Sequence, residues 1–291
     1  MVKTIGQLYR DARNALLEQE DPHTASLYAR NLLCQVTGKT PEKVIADGSE
    51  PATEEAVQDM WQAVNRLLVG EPLAYVLGQW DFYGMTLQVD RNVLIPRDDT
   101  CAVTELAVRQ ALFLPEAPRI LDLCTGSGCI GLALAHQIKD ARVTLADISL
   151  DALAVAKKNI ALTRKTGRVS CYQADALKEP ETFLGQFHMI VSNPPYITTQ
   201  EMQKLPVSVR DYEPHLALHG GEDGLIFYRA IAANFRKALK PDGYLCFEFG
   251  MGQGDAVCQI LLENGYTILE RARDFNDRER AVIAQYHRKE E

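Results

Sequence analysis

Residues 119–137 read RILDLCTGSGCIGLALAHQ, and this stretch decides the fold. The apolar run Arg119–Leu123 predicts a buried strand, and the apolar residues after the glycines predict a helix over Cys129–Gln137. Between them, Gly126 and Gly128 allow a tight turn and a close approach of the backbone to a ligand. A strand, a glycine turn and a helix in this order are typical of a nucleotide-type site, although the glycine spacing alone also fits a plain strand–helix connection.

The remainder of the chain repeats the alternation of strand and helix. Predicted helices follow at 150–162 and 224–239, and a further one ends near Glu263. Two extended pieces at 266–271 and 281–287 predict an antiparallel edge hairpin. Alternating strands and helices predict a doubly wound, mostly parallel α/β sheet. Counting the first strand, its seven strands are expected at 119–123, 142–146, 169–173, 187–192, 244–249, 266–271 and 281–287.

The first part of the chain has a different pattern. Apolar residues at helical spacing predict a small helical bundle up to about residue 70. Alternating residues and glycines after Pro72 predict a β-hairpin that links the bundle to the sheet. The expected organisation is a helical domain at 1–71, a hairpin linker at 72–96 and a catalytic domain at 97–291.

Composition excludes several classes of protein. Apolar residues make up 46% of the 291-residue chain and charged residues 24%, as in a globular protein. Residues 1–96 carry 8 Lys+Arg against 13 Asp+Glu, and the whole chain has a net charge of −8. This balance weighs against nucleic acid as a partner, because binding to phosphates requires clustered cations. We expect no direct contact with nucleic acid or membrane, and a monomer.

The cysteines and the N-terminal sequence bear on the compartment. Seven cysteines at irregular spacing argue against a disulfide framework and a zinc site, and they predict reduced, mostly buried thiols and no metal. There is no pattern of a signal peptide and no apolar run long enough for a membrane span. The expected location is the cytoplasm.

Acidic residues at strand ends narrow the choice of cofactor. Asp147 follows the second strand, where an acid reaches ribose hydroxyls, although it also fits a cap of the next helix. The glycines and Asp147 together leave an NAD-like cofactor and S-adenosylmethionine. Asp122 favours the latter, since a carboxylate repels pyrophosphate and attracts the ammonium of a methionine moiety. Asp175, at the end of the third strand, is placed to accept a hydrogen bond from an adenine amino group or to cap its strand.

The tetrapeptide Asn193-Pro194-Pro195-Tyr196 ends the apolar run Phe187–Ser192. Two adjacent prolines cannot continue a sheet ladder, so the chain must leave the sheet there. The result is a rigid lip rich in acceptor oxygens at the carboxyl end of a strand, where open α/β sheets bind their ligands. Such a lip suits a planar –NH₂ group that is to receive a methyl group.

Together these motifs resemble those of class I S-adenosylmethionine-dependent methyltransferases acting on planar amino nitrogens. The wider chain resembles the release factor glutamine methyltransferases, the PrmC/HemK family. This closer resemblance rests on Gly70–Tyr75, Gly78–Phe82, Val93–Arg97, Tyr212–Pro214, Ala217-Leu218, Gly220–Leu225 and Glu248-x-Gly250.

The resemblance implies an activity and a set of site residues. The activity is methyl transfer from S-adenosylmethionine, leaving S-adenosylhomocysteine, to the glutamine side-chain nitrogen in the Gly-Gly-Gln motif of peptide chain release factors. Asn193, Pro194 and Tyr196 are the expected catalytic residues; with Pro195, Arg97 and Glu213 they are also expected to bind the substrate. The expected cofactor contacts are Asp122, Cys124, Thr125, Gly126, Ser127, Gly128, Asp147, Asp175, Ala176 and Asn193.

Three positions depart from the family pattern. Asp98-Asp99-Thr100-Cys101 follows Arg97 where the family has Pro-Glu/Asp-Thr-Glu, which leaves the shape of that loop open. Ala176 stands where many members carry an aromatic that packs on adenine, and Cys124 stands where glycine is frequent.

Two other functions remain open. A nucleic-acid amino methyltransferase acting on adenine N6 or guanine N2 uses the same Asn-Pro-Pro-Tyr motif but requires a basic groove. A non-catalytic module that docks a translation partner would keep the helical domain and lose turnover.

Overall fold

The computed structural model describes residues 3–287, and the chain divides into two compact units. The first unit contains the residues up to Gly78 together with Val207–Tyr212. The second contains Gln79–Pro206 together with the residues from Glu213 onward.

The first unit is built from helices. Its longer helices begin at side chains that accept hydrogen bonds from the first turn, as Thr4 does from Gln7 N, so local sequence defines their N-termini. Apolar faces meet in its core, where Leu8, Leu32 and Met60 are fully buried. The helices are α1 (Ile5–Leu16), α2 (Pro22–Thr37), α3 (Pro41–Ala46), α4 (Glu54–Leu68), α5 (Leu73–Leu77) and, from the later segment, α10 (Val207–Arg210).

The second unit holds a hairpin and a seven-stranded sheet. The hairpin pairs β1 (Gln79–Phe82) with β2 (Met85–Gln88). The sheet order is β5-β4-β3-β6-β7-β9-β8; the first five strands are parallel and β9 is antiparallel to both of its neighbours. The strands are β3 (Arg119–Leu123), β4 (Arg142–Asp147), β5 (Val169–Gln173), β6 (Phe187–Ser192), β7 (Leu239–Glu248), β8 (Tyr266–Arg273) and β9 (Glu279–Tyr286).

Helices cover both faces of this sheet, which confirms the predicted doubly wound architecture. One core contains Val103, Leu132 and Val143, and the other contains Leu121 and Ile231. Inner strands such as β3 and β6 read as apolar runs because both of their faces are buried, whereas the edge strands β5 and β8 are partly exposed. The helices of this unit are α6 (Cys101–Ala111), α7 (Cys129–Gln137), α8 (Leu150–Leu162), α9 (Thr199–Met202), α11 (Ile226–Asn234) and α12 (Gly254–Glu263).

Three predicted elements were wrong in extent. Residues 73–77, expected in the hairpin, form α5, which ends at Gly78 with a φ of +71°. The helix expected over 224–239 ends at Asn234 and is followed by a 3₁₀ turn. β7 begins at Leu239 instead of 244 because a bulge accommodates the Pro-Asp-Gly segment: Leu239 pairs with Phe187, and the ladder resumes at Tyr244.

The boundaries of the units also differ from the predicted ranges. The helical unit reaches Gly78 instead of residue 71, and the hairpin lies in the sheet unit. Within the helical unit, the Tyr212 hydroxyl donates to the Val69 carbonyl oxygen at 2.7 Å. The sequence contains no signal for this long-range bond, so it did not indicate that 207–212 belongs to the helical unit.

No helix within residues 3–287 combines the length and the apolar character needed to cross a membrane.

Candidate active site

The glycine loop 124–128 connects β3 to α7 at the carboxyl edge of the sheet. Cys124, Gly126 and Gly128 all have positive φ, of 59°, 53° and 86°. Two glycines therefore occupy positions where a side chain would strain the backbone. Cys124 adopts the same left-handed conformation without being a glycine, which explains why glycine is frequent there in the resembled family.

Asp122 lies beneath this loop and is 1% exposed. Its Oδ2 accepts hydrogen bonds from Thr125 Oγ1 at 2.6 Å and from Gly131 N at 2.8 Å. Burial raises the pKa of this carboxyl group to about 7. Asp122 thus braces the loop, and it is not among the residues that line the neighbouring cavity. Its Oδ1 is buried and has no hydrogen-bond partner among residues 3–287.

Asp147 connects the end of β4 to the glycine loop. One carboxylate oxygen accepts from Gly126 N at 2.9 Å and the other from Ser149 N at 3.0 Å. Burial raises the pKa of Asp147, and these backbone donors oppose the rise. The side chain lines the cavity. Because each carboxylate oxygen can accept more than one hydrogen bond, Asp147 retains acceptor capacity for a ligand.

A cavity of about 200 Å³ lies at the carboxyl ends of β3, β4, β5 and β6. Ten of the predicted site residues line it: Arg97, Cys124, Thr125, Gly126, Ser127, Asp147, Asp175, Ala176, Asn193 and Pro195. Five others do not line it: Asp122, Gly128, Pro194, Tyr196 and Glu213. The wall also contains residues that the sequence gave no reason to place at the site, among them Ile148, Leu177, Leu216 and Phe227.

These additional residues bear on the Ala176 departure. Ala176 itself is buried, and Leu177 and Ile148 expose 40% and 43% of their surface. All three line the cavity, so its apolar wall near Asp175 is aliphatic. Asp175 Oδ1 accepts from Leu177 N at 3.0 Å, which fixes this turn.

The lip begins at Asn193, directly after β6. Asn193 Nδ2 donates to Thr100 Oγ1 at 3.3 Å, so the amino end of this carboxamide is engaged by the protein. Thr100 belongs to the 3₁₀ turn Asp98–Thr100. The segment Asp98–Cys101, whose sequence differs from the family pattern, thus forms this turn and the first residue of α6. Thr100 is 2% exposed and also lines the cavity. The sequence did not identify it as a site residue.

Close packing holds the backbone of the lip. Gln253 Nε2 donates to the Tyr196 carbonyl oxygen at 3.0 Å. A Cβ on Gly220 would lie 2.7 Å from the Pro195 oxygen, and one on Gly224 would lie 2.3 Å from the Tyr196 oxygen. The segment therefore requires glycine at both positions. Burial raises the pKa of the Tyr196 phenol, whose ring lies inside the unit and not on the cavity wall.

Arg97 and Glu213 form a partly buried ion pair at the edge of the cavity. The second oxygen of Glu213 accepts from Ile95 N at 3.2 Å. Burial raises the pKa of Glu213, and Arg97 acts against that rise. Both oxygens of this carboxylate are thus occupied, so Glu213 fixes Arg97 and the Ile-Pro-Arg segment instead of facing the cavity.

The cysteines are all free: Cys246 is buried and the other six are half-buried, so the prediction of mostly buried thiols was wrong. Within residues 3–287, no group of three His, Cys, Asp or Glu side chains is arranged to hold a metal ion.

The sheet order and the glycine loop at its carboxyl edge define a class I methyltransferase fold. Family models match the chain as a PrmC N-terminal domain over residues 7–78 and as a Methyltransferase small domain over residues 104–209. A release factor glutamine methyltransferase from Clostridium acetobutylicum is 37% identical over 253 residues, which are 87% of this chain and 88% of that protein. The chain belongs to the release factor glutamine methyltransferase family.

Two further comparisons differ in coverage. A bifunctional methyltransferase from Rickettsia felis is 34% identical over 89% of this chain, and the match spans about half, 54%, of that protein. A crystal structure of a release factor-specific protein-(glutamine-N5) methyltransferase from Alicyclobacillus acidocaldarius has 27% identity, covers 69% of this chain and 100% of that chain, and has a TM-score of 0.42.

Proposed function

We propose that this chain transfers a methyl group from S-adenosylmethionine to the side-chain nitrogen of the glutamine in the Gly-Gly-Gln motif of peptide chain release factors. Family membership supports the reaction. The observation that carries the proposal is the orientation of Asn193 at the cavity. Its amino end donates to Thr100, so its carbonyl oxygen is the end left for the N–H of a substrate amide.

The residues present fit S-adenosylmethionine. Asp122 holds the glycine loop from beneath and does not line the cavity, so its predicted contact with the ammonium group stays a prediction. Asp147 is held by two backbone donors and suits ribose hydroxyls. Asp175 and the aliphatic wall at Ile148 and Leu177 suit an adenine ring. When bound, S-adenosylmethionine supplies the methyl group, and S-adenosylhomocysteine is the product.

The chain's own contribution is to orient and polarise a weak nucleophile. The nitrogen of a carboxamide is poorly nucleophilic because its lone pair is delocalised into the carbonyl group. Asn193 Oδ1 accepts a hydrogen bond from one of the substrate's N–H groups, and the second acceptor, the Pro194 carbonyl oxygen, stays a prediction because Pro194 does not line the cavity. Two such bonds would fix the plane of the amide. Positive charge grows on this nitrogen during the reaction, so both acceptors bind the transition state more strongly than the substrate. Loss of one such contact costs about 2.7–4 kcal/mol of barrier in comparable sites.

The other lip residues support this arrangement. Tyr196 is held by Gln253 through its backbone, so we assign it to the rigidity of the lip, and its predicted contact with the substrate amide stays a prediction. Arg97 lines the cavity with its charge balanced by Glu213, and we assign it to the entry of the substrate. The helical unit is the proposed docking surface for the release factor, and the chain is proposed to act as a cytoplasmic monomer.

Incubation of the full-length chain with S-adenosylmethionine and purified release factor tests the reaction. Mass spectrometry of the peptide containing Gly-Gly-Gln should show the mass of one added methyl group, located on the glutamine. Duplex DNA and ribosomal RNA run in parallel distinguish the amino methyltransferase alternative. Methylation of either nucleic acid without the release factor would refute the proposed substrate.

The Asn193→Ala variant tests the role of the lip. It should lower turnover by about 100- to 1,000-fold, as expected for one lost acceptor, while binding S-adenosylmethionine with nearly normal affinity in calorimetry. The matched control is Asn276→Ala, the same substitution at an exposed position between β8 and β9. Turnover by Asn193→Ala at the level of the control would contradict the assignment.

A further inference from the structure

Glu248 is a buried acid that the proposed reaction does not use. It is the last residue of β7 and is 1% exposed. β7 lies beside β6 in parallel register, with Phe247 opposite Ser192. Glu248 therefore comes next to Asn193, where both strands end. Its Oε2 is buried and has no hydrogen-bond partner among the described residues.

The neighbours of Glu248 are the groups that hold Asn193. Burial raises the pKa of this carboxyl group to about 7, and Thr100, the charge of Arg280 and Asn193 act against that rise. Asn193 Nδ2 in turn donates to Thr100 Oγ1. Thr100 is itself fixed, because its carbonyl oxygen accepts from Thr104 Oγ1 at 2.8 Å and its N–H donates to the Arg97 oxygen at 3.1 Å.

Glu248 is not explained as one half of an ion pair. The nearby cation, Arg280, is already bound to Asp99 at 2.9 Å and to Asp274 at 3.0 Å. The charge of Arg280 is therefore balanced without Glu248. A buried carboxyl group without a salt-bridge partner lowers stability, so its presence beside Asn193 requires another reason.

The chemistry of the two side chains supplies one. A carboxamide has a donor end and an acceptor end of nearly equal size, and an ionised carboxylate can only accept. Above a pH of about 7, where Glu248 is mainly ionised, it attracts the amino end of Asn193 and repels the carbonyl end. We propose that Glu248 is a positioning residue that, together with Thr100, holds the Asn193 carboxamide with its oxygen toward the cavity. This inference rests on the proposed function, since it explains how the lip presents an acceptor to the substrate amide.

The test compares Glu248→Gln with the parent chain in steady-state methylation. A glutamine at 248 can itself donate, so both orientations of Asn193 become populated. We expect kcat to fall by roughly 10–100-fold, as for a misplaced reacting group. KM for S-adenosylmethionine should stay within about two-fold, since Glu248 does not line the cavity. A general structural defect would instead raise KM and lower the melting temperature as well.

A double variant provides the sharper readout. If Glu248 acts only through Asn193, then Asn193→Ala combined with Glu248→Gln should be no slower than Asn193→Ala alone. A further loss in the double variant, or normal kcat in Glu248→Gln, would overturn the proposal.

Variants of Thr100 keep the test valid if Glu248→Gln does not fold. Thr100→Val removes the oxygen that holds Asn193 and should lower kcat, whereas Thr100→Ser keeps the hydroxyl and should restore it. Thr144→Val is the matched control, because Thr144 is a half-buried threonine of β4 that neither lines the cavity nor bonds to Asn193. Equal kcat in Thr100→Val and Thr144→Val would also refute the proposal. These ratios apply to whichever substrate the parent chain methylates, so failure of the release factor assay remains distinguishable.

Discussion

Replacing Gly131, a residue of α7 that packs beneath the glycine loop, by alanine should lower the free energy of unfolding of the sheet unit. Gly131 faces β4 across the glycine loop, and a Cβ there would lie 2.2 Å from Leu145 Cδ2 and 2.9 Å from Asp122 Oδ2. Carbon atoms pack at about 3.5–4.0 Å, so Leu145 would have to retreat by more than about 1 Å. Leu145 is fully buried in β4, so its side chain can move only by displacing its neighbours in the core.

The magnitude follows from three contributions. Overpacking of a dense core costs about 1–3 kcal/mol. Displacement of Asp122 from the Gly131 N–H adds about 1–3 kcal/mol for a buried group without its partner. Alanine regains up to about 1 kcal/mol because it favours the helix over glycine. We expect a net loss of about 1–5 kcal/mol in the free energy of unfolding.

Urea denaturation measures this loss. The chain has two tryptophans, and in a Trp61→Phe background the fluorescence of Trp80 reports on the sheet unit. Gly167→Ala is the matched control, since a Cβ at Gly167 meets nothing within 4 Å. Adding Leu145→Val to Gly131→Ala removes the clashing methyl groups and should restore at least half of the loss. A Gly131→Ala chain as stable as the control, or a Leu145→Val change that only adds its own cost, would refute the steric reasoning.

Three further predictions concern acids at the site. Asp147→Ala should weaken S-adenosylmethionine binding by roughly ten-fold or more in calorimetry, because it removes a charged acceptor worth about 1.5–3 kcal/mol. The control Asp151→Ala, at the exposed start of α8, should leave the affinity unchanged. Equal affinities of the two variants would show that Asp147 does not bind the cofactor. Glu213→Ala should lower the free energy of unfolding by about 1–3 kcal/mol, since Ile95 N loses its acceptor and Arg97 its partner; an unchanged urea midpoint would contradict this. Asp122 has a pKa of about 7 in the folded chain against an ordinary value of 3.8, so between these pH values the folded chain holds a proton that the unfolded chain has released. The free energy of unfolding should therefore fall as the pH rises from about 4 to 7, by at most about 1.4 kcal/mol per pH unit. The Asp122→Asn variant should show a flatter pH profile.

Local patterns were sufficient to predict most of the fold. Apolar runs predicted the inner strands of the large sheet, such as Phe187–Ser192, because strands buried on both faces leave a continuous apolar signal, whereas the edge strands β5 and β8 are partly exposed and carry more polar residues. Helix starts were equally local, since a side chain such as Thr53 caps its own first turn. Prediction failed for α5 and for the start of β7, where tertiary packing overrode the propensities of Tyr75 and of the Pro-Asp-Gly segment.

The candidate site was predicted less completely, for a different reason. Asp147 and Asn193 were found because each follows a strand that ends at the cavity. Thr100 was missed because its role depends on a contact with a residue 93 positions later in the chain. The acid at Glu248 ends an apolar strand as Asp147 does, and applying the same rule there would have identified it. Asp122 was assigned to the cofactor, and only the structure reveals its bonds within the loop.

The placement of β9 has a consequence for biosynthesis. This strand is inserted between β7 and β8, although it follows both in the sequence. A ribosome therefore completes the whole parallel half of the sheet while one edge of β7 still has no neighbour. Arg280, which binds Asp99 beside the lip, emerges only with that strand. The nascent enzyme thus cannot finish its methyl-transfer centre during translation until β9 has been made, and until then β7 offers an open edge on which chaperones can act.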